Sequence, residues 1–345
     1  MAETLRVLLV GAGYFGRLHR DAWLSDGRVH LAGIVDTDLE RARDAAARTP
    51  GARAFASLEA GIDAVGPDVV DIVTPPASHL DLLRVTMERG IATVCQKPFC
   101  GGLERALDAV ALARDAGTTL VVHENFRFQP WYRAIRRLLE ERALGDLHQA
   151  TFRLRPGDGQ GPSAYLDRQP YFRRMKRFLV QETGVHLVDT FRYLMGEPDW
   201  VWADLRRLNP AIAGEDAGLV VLGYADGRRA LLDADRLVDH AAADARRTMG
   251  EARVEGSKAV VDLLGSGALT LRPHGSREAH AVEIGRTDET FGGGCVARLQ
   301  AHVADHLLEG TALENEVGEY VRNLRIVEAI YRSAGSGARV ALDGP

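Results

Sequence analysis

Val7-Leu8-Leu9-Val10-Gly11-Ala12-Gly13-Tyr14-Phe15-Gly16 is an unbroken apolar run that passes directly into three spaced glycines and then into a helix-like segment. It reads as a buried strand, a tight turn and a helix start. In such a unit Gly11 permits the turn, Gly13 lets the backbone come close to a pyrophosphate, and Gly16 lets helix and strand pack tightly. The free N–H groups and positive end of the helix dipole then face the phosphates. A second apolar run, Leu31-Ala32-Gly33-Ile34-Val35, ends in Asp36, about twenty residues beyond Gly16, where a ribose-binding carboxylate is expected. A dinucleotide site is the reading these features support.

At 345 residues the chain exceeds the usual size of one core, so two domains are expected. A formal charge of −5 gives no general attraction to nucleic acid or to an anionic membrane. The three cysteines, Cys95, Cys100 and Cys295, have no zinc-like spacing, and a disulfide framework is not expected. The first residues run straight into a strand without a charged leader and apolar core, and no stretch reaches the roughly 18 apolar residues of a membrane span. A reducing cytoplasm is the expected compartment.

From Asp36 onward strands and helices alternate: a helix over 38–48, a cap at Ser57, a strand over 69–73, a helix over 79–89, a strand over 91–95, a helix over 103–116 and a strand over 120–122. This rhythm predicts an α/β domain with a doubly wound parallel sheet over 1–125. Ligands in such sheets lie beyond the carboxyl ends of the strands, where Gly11, Asp36, Thr74, Gln96, Lys97 and His123 fall. After Gly145 strands dominate, with turns at Asp226-Gly227 and Gly256-Ser257. The prediction for 126–345 is an α+β domain with a large, mostly antiparallel sheet. Two closing helices, over 295–308 and 313–334, are candidates to pack back on the first domain.

Three stretches carry candidate chemistry. Lys97 precedes Pro98, and an X-Pro bond that is cis at modest cost would turn the chain and aim the ammonium at a ligand. In Gln181-Glu182-Thr183-Gly184-Val185-His186-Leu187-Val188-Asp189, Glu182 and His186 share one helical face and Asp189 lies three residues further along it. A carboxylate one turn from an imidazole can support a general base; the same pair also reads as a solvated surface pair or half a metal site. No third ligand stands at a recognisable spacing, so no metal is expected. Arg168-Gln169-Pro170-Tyr171-Phe172-Arg173-Arg174-Met175-Lys176-Arg177 packs five cations into ten positions, and reads as an anion-binding edge, a solvated face or a subunit contact. Arg127, in Asn125-Phe126-Arg127-Phe128-Gln129-Pro130-Trp131, has a similar claim on an acidic substrate.

Together these pieces resemble the Gfo/Idh/MocA family of NAD(P)-dependent oxidoreductases. The resemblance rests on the glycine stretch, on Val73-Thr74-Pro75-Pro76-Ala77-Ser78-His79, on Gln96-Lys97-Pro98 where the family usually has Glu-Lys-Pro, on Asn125 to Pro130, and on Glu182 to Asp189. It implies hydride transfer between a nicotinamide and a secondary alcohol or ketone of a sugar, cyclitol or related, possibly acidic, polyol. Relatives that use the redox step only transiently, as glycosidases or epimerases, and cofactor-binding regulators are the alternatives it leaves. Lys97 and His186 match the family's catalytic lysine and acid/base histidine, and Glu182 stands where many members have aspartate. The implied cofactor-side residues are Gly11, Gly13, Tyr14, Phe15, Gly16, Asp36, Thr74, Pro75, His79, Gln96, Lys97 and Asn125. The substrate-side residues are Lys97, Arg127, Trp131, Arg168, Tyr171, Glu182 and His186. Asp36 would repel a 2′-phosphate, so NAD is expected over NADP, with Arg41 and Arg43 on a helix pointing away. A homo-oligomer, dimer or tetramer, is the expected assembly.

Overall fold

The computed structural model describes residues 4–288 and 291–342. The first three residues of the N-terminal stretch that reads as leaderless, and the last three of the second predicted domain, lie outside the described residues. The chain divides into two compact units, Met1–Asn125 with Val296–Leu324, and Phe126–Cys295 with Arg325–Pro345.

The first unit is the expected doubly wound α/β domain. Strands β1 (Leu5–Val10), β2 (Val29–Val35), β3 (Arg53–Phe55), β4 (Val69–Ile72), β5 (Ala92–Gln96) and β6 (Leu120–His123) form one sheet in the order β3-β2-β1-β4-β5-β6, parallel throughout. Helices α1 (Tyr14–Leu24), α2 (Leu39–Ala47), α3 (Leu58–Val65), α4 (His79–Glu88) and α5 (Leu103–Ala116) connect them. Asp38 and Ser57 cap α2 and α3 by accepting backbone N–H groups of the first turn, which stops each helix where the sequence places it. Gly117, in the left-handed region, closes α5.

Two departures from the sequence reading have local causes. The last helix, α9 (Val317–Ser336), begins four residues later than expected. The segment before it is held against β6, with Val122 N–H donating to the Asn315 carbonyl and the Asn315 amide to that of Glu124. A helix to which the sequence reading assigns nothing, α6 (Pro130–Glu140), follows Asn125, opened by proline at its first turn and buried along Trp131, Ile135 and Leu138.

The second unit also holds α7 (Val185–Met195) and a nine-stranded sheet. Its strands are β7 (Leu147–Leu154), β8 (Trp200–Arg206), β9 (Ala217–Gly223), β10 (Arg229–Asp235), β11 (Gly250–Gly256), β12 (Ala259–Leu263), β13 (Leu269–Pro273), β14 (His280–Val282) and β15 (Val340–Ala341). The order is β14-β13-β12-β11-β7-β10-β9-β8-β15, and among the described residues only β7 with β10 pairs parallel. Helix α8 (Cys295–Glu309) lies almost wholly in the first unit. Cys95, Cys100 and Cys295 are buried thiols, and among the described residues no helix is long and apolar enough to cross a membrane.

At the end of β10 the Arg236 guanidinium is 1% exposed. It donates to Asp158 at 2.8 and 3.1 Å, to the Tyr165 hydroxyl at 2.8 Å and to Thr183 Oγ1 at 2.6 Å, with the rings of Tyr165, Phe172 and Phe178 around it. Burial would raise the Asp158 carboxyl, but the guanidinium overrides it and holds it below the usual carboxylate range. Removing one partner of a buried pair strands the other charge. Asp158→Ala is therefore expected to lower stability by about 3–5 kcal/mol in urea unfolding, and Asp158→Leu combined with Arg236→Met to cost less than that.

His79, expected beside the cofactor, is fully buried. Its Nδ1 accepts the Cys100 N–H and its Nε2–H donates to the Thr74 carbonyl, so the neutral ring ties the Thr74-Pro75 loop to the turn after β5. Burial pulls its pKa from 6.5 down to about 4. Between those values only the unfolded chain takes up the proton, so stability falls as pH drops from 6.5 toward 4, by about 3 kcal/mol from this group. Denaturant midpoints measured across that range should show the loss, and His79→Gln should flatten it.

Candidate active site

The glycine turn has the geometry of a phosphate cradle. Gly11 sits at φ +109°, and a Cβ there would lie 2.5 Å from the Val73 carbonyl oxygen. A Cβ at Gly16 would lie 2.1 Å from the Gly11 carbonyl oxygen, which is why helix and strand meet so closely there. Gly13 is different: its Cβ would meet no protein atom within 4 Å and would stand in open space over the start of α1. That helix carries no side-chain cap on the N–H groups of its first turn, and the positive end of its dipole lies at this space. Tyr14 and Phe15 flank this space, the first exposed and the second half-buried, their rings edge to face at 6.0 Å.

Asp36 stands at the end of β2. One carboxylate oxygen accepts the Ala12 N–H and the other the Asp38 N–H, both at 2.9 Å. A carboxylate has about four acceptor positions, so these two bonds orient it and leave capacity for ribose hydroxyls. The open cradle and the oriented carboxylate fit a dinucleotide. Beside them a groove of about 170 Å³ is lined by Ala12, Arg17, Arg20, Arg41, Asp44 and Arg48. The expectation that α2 turns its arginines away is corrected in half: Arg43 pairs with Glu40 on the outer face, but Arg41 lines the groove. The cause is helical spacing, since Arg41, Asp44, Ala45 and Arg48 share one face and Arg43 does not.

Thr74 and Pro75 lie at the carboxyl end of β4, with Thr74 Oγ1 and Ser78 Oγ 2.8 Å apart. Lys97 follows β5, half-buried, and the Lys97–Pro98 peptide bond is cis. Gln96, expected as a cofactor contact, has both ends of its amide engaged inside the unit, with the Lys97 N–H and with His19. Asn125, just past β6, is buried.

In the second unit, Glu182 lies in a π-helical turn, Leu179–Gly184, that runs directly into α7 with His186 in its first turn. The relation between the two residues is thus set by a wider turn than the α-helix the spacing suggests; such turns recur at functional sites. The Glu182 carboxylate accepts the Thr183 hydroxyl at 2.6 Å and lies 3.7 Å from Arg236. Both Glu182 and His186 are buried, and the imidazole is stacked flat on Phe126, centroids 4.0 Å apart and planes within 2°. Tyr171 is half exposed, and its phenol is pushed up to about 12 by desolvation and then by the charge of Glu182.

The predicted anion-binding arginines are engaged within the unit. Arg127 forms a two-pronged pair with the fully buried Asp189, at 2.6 and 2.8 Å, and Arg168 donates to Asp158 at 3.0 Å. Trp131 is completely buried, against Gly293 and Gly267. Among the described residues no group of three His, Cys, Asp or Glu side chains is placed to hold a metal ion.

Sequence reasoning passes over His19, Asp71 and Arg236. Asp71 did carry a signal, as the single charge inside the apolar strand Val69-Val70-Asp71-Ile72-Val73. His19 and Arg236 look ordinary in the sequence.

Comparison with known proteins places this geometry. Residues 5–124 match the oxidoreductase family with an NAD-binding Rossmann fold, and residues 132–262 match the GFO/IDH/MocA C-terminal domain. A D-apiose dehydrogenase of Paraburkholderia graminis is 32% identical over 97% of this chain and 88% of its own. An inositol 2-dehydrogenase of Rhizobium meliloti is 29% identical over 68% of this chain and 69% of its own. Among solved structures, an oxidoreductase from Agrobacterium radiobacter in complex with NAD+, L-tartaric acid and magnesium superposes with a TM-score of 0.87 at 24% identity, covering 98% of each chain. With both halves matched and a relative of this identity along nearly its whole length, the chain belongs to the GFO/IDH/MocA family and is an NAD-binding oxidoreductase.

Proposed function

We propose that this protein interconverts a secondary alcohol and the corresponding ketone of a sugar, cyclitol or related polyol, with NAD as the redox partner. The observation that carries the reading is the position of Lys97. Its loop leaves β5 at the same carboxyl edge of the parallel sheet from which β1 enters the glycine cradle, with only β4 between them. The cofactor, when bound, takes up or returns the hydride at C4 of its nicotinamide.

The chain's own residues handle the proton. In the oxidation the Lys97 ammonium lowers the energy of the developing alkoxide, and the His186 imidazole takes the hydroxyl proton; in the reduction the same groups act in reverse. Phe126 fixes the plane of that imidazole, and Glu182 orients and supports it. Because Arg127 and Arg168 are already paired with carboxylates, a neutral polyol is the better supported substrate. Tyr171 is the aromatic assigned to the substrate side, while Trp131 is completely buried against Gly267 and Gly293. The names of the D-apiose and inositol relatives support the polyol class. We place the enzyme in the cytoplasm as a dimer or tetramer.

A panel of pentoses, hexoses and inositols, followed by NADH absorbance with product measured separately, is expected to give NADH in step with product. Product without net NADH would move the assignment to transient redox chemistry. Lys97→Ala and His186→Ala are each expected to lower kcat by about 10²–10⁴-fold while cofactor binding persists. Full turnover in the double variant would refute the mechanism.

The arginine groove beside Asp36 favours a second reading, in which the site also accepts NADP. Asp36 and Asp44 oppose a 2′-phosphate and Arg41 also pairs with Asp38, but the four arginines Arg17, Arg20, Arg41 and Arg48 outnumber these three carboxylates. Arg41→Ala is expected to raise KM for NADP about tenfold and to leave KM for NAD within about twofold. Equal effects on both cofactors would exclude the groove from phosphate recognition.

A further inference from the structure

Behind Lys97 the first unit contains a one-way chain of hydrogen bonds whose direction follows from donor and acceptor chemistry alone. The Lys97 backbone N–H, which can only donate, lies 2.7 Å from Gln96 Oε1. That fixes the amide: its other end, Nε2, lies 2.9 Å from His19 Nε2 and can only donate to it. His19 Nε2 therefore carries no proton, and its Nδ1 carries the ring proton and gives it to Asp71 Oδ2 at 2.8 Å. The same oxygen accepts the Trp23 indole N–H at 2.7 Å and the Gln300 amide at 3.3 Å. His19 and Asp71 are both fully buried, and Gln96 is 7% exposed. The groups facing the His19 ring are Asp71 from β4, Gln96 from β5, the His123 ring at 4.1 Å from β6 and the Phe15 ring at 6.3 Å on α1, while the uncharged Gln300 amide from α8 donates to the His19 carbonyl and to Asp71.

We propose that Gln96, His19 and Asp71 are positioning residues that hold the Lys97 loop through a relay needing no proton from solvent, so that the lysine keeps its place across the range in which imidazoles titrate. The glutamine is what makes this so. A glutamate at 96 would offer acceptors to both the Lys97 N–H and His19 Nε2, and the second contact would close only if the imidazole took a second proton, between two buried carboxylates. The relay would then form at low pH and open as pH rises. The inference rests on the reading of Lys97 as the proton-handling lysine.

The test pairs Gln96→Glu with Gln96→Met, which removes both hydrogen bonds without adding charge. In the parent, nitrogen NMR of His19 should show one neutral tautomer, protonated at Nδ1. In Gln96→Glu the ring should become doubly protonated at the acid end. kcat/KM should then fall as pH rises through that new ionisation, an inflection the parent lacks. Gln96→Met should lower kcat by roughly tenfold to hundredfold with the parent's pH profile. A His19 ring that stays neutral in Gln96→Glu, or a pH profile parallel to the parent's, overturns the relay. Lys97→Ala separates the two readings: if it keeps full activity, the role of Lys97 fails and the relay's function with it. If it is inactive while Gln96→Glu behaves like the parent, only the relay fails.

Discussion

The close approach of α1 to β1 is the constraint from which the first unit follows. Any side chain at Gly16 would collide with the Gly11 carbonyl, and any at Gly11 with that of Val73, so β1, β4 and the start of α1 share a space that admits backbone alone. This brings the inner face of the helix down onto the sheet. His19 and Trp23, one and two turns beyond Gly16, then both reach Asp71 on β4. A buried carboxylate is tolerated there because three donors converge on one of its oxygens. The glycines thus do two things at once: they open the ground in front of the helix and close it behind.

Buried charge is handled differently in the second unit, by pairing with its opposite. Arg127 with Asp189 and Arg236 with Asp158 are enclosed pairs on either side of the segment carrying Glu182 and His186. Thr183 links that segment to Arg236 through its hydroxyl while donating to Glu182. The π-helical turn is therefore anchored at its polar face, and the imidazole that follows is anchored on its apolar face by Phe126. For the general base proposed at His186, such fixation means that the ring need not reorganise as the proton moves. The arginine-rich run before this segment reads as an anion site in the sequence, but the structure gives Arg168 and Arg177 intramolecular carboxylates, in Asp158 and Glu328.

Local periodicity and turn chemistry carried most of the architecture. The glycine turn, the caps at Asp38 and Ser57, the close of α5 at Gly117 and the strands from β7 to β13 depend on residues within a few positions of one another, and such information is present in the chain itself. The helix α6 is equally legible, since Trp131, Ile135 and Leu138 follow helical spacing behind a proline at the first turn. The late start of α9 was not available, because it is decided by hydrogen bonds between Asn315 and β6, nearly two hundred residues away in sequence.

The same division holds at the site. The sequence by itself determined the glycine turn, the carboxylate of Asp36 at the end of β2 and the residue types at Lys97, Glu182 and His186, because each belongs to a contiguous motif whose chemistry is local. Only the tertiary structure decided what those residues lean on: His19 and Asp71 behind Gln96, Arg236 behind Glu182, Asp189 beneath Arg127, and Arg41 turned into the groove beside Ala12. Each of these contacts joins elements distant in the chain, and a side chain's hydrogen-bond partner is fixed by which strands and helices pack together, which no local spacing encodes.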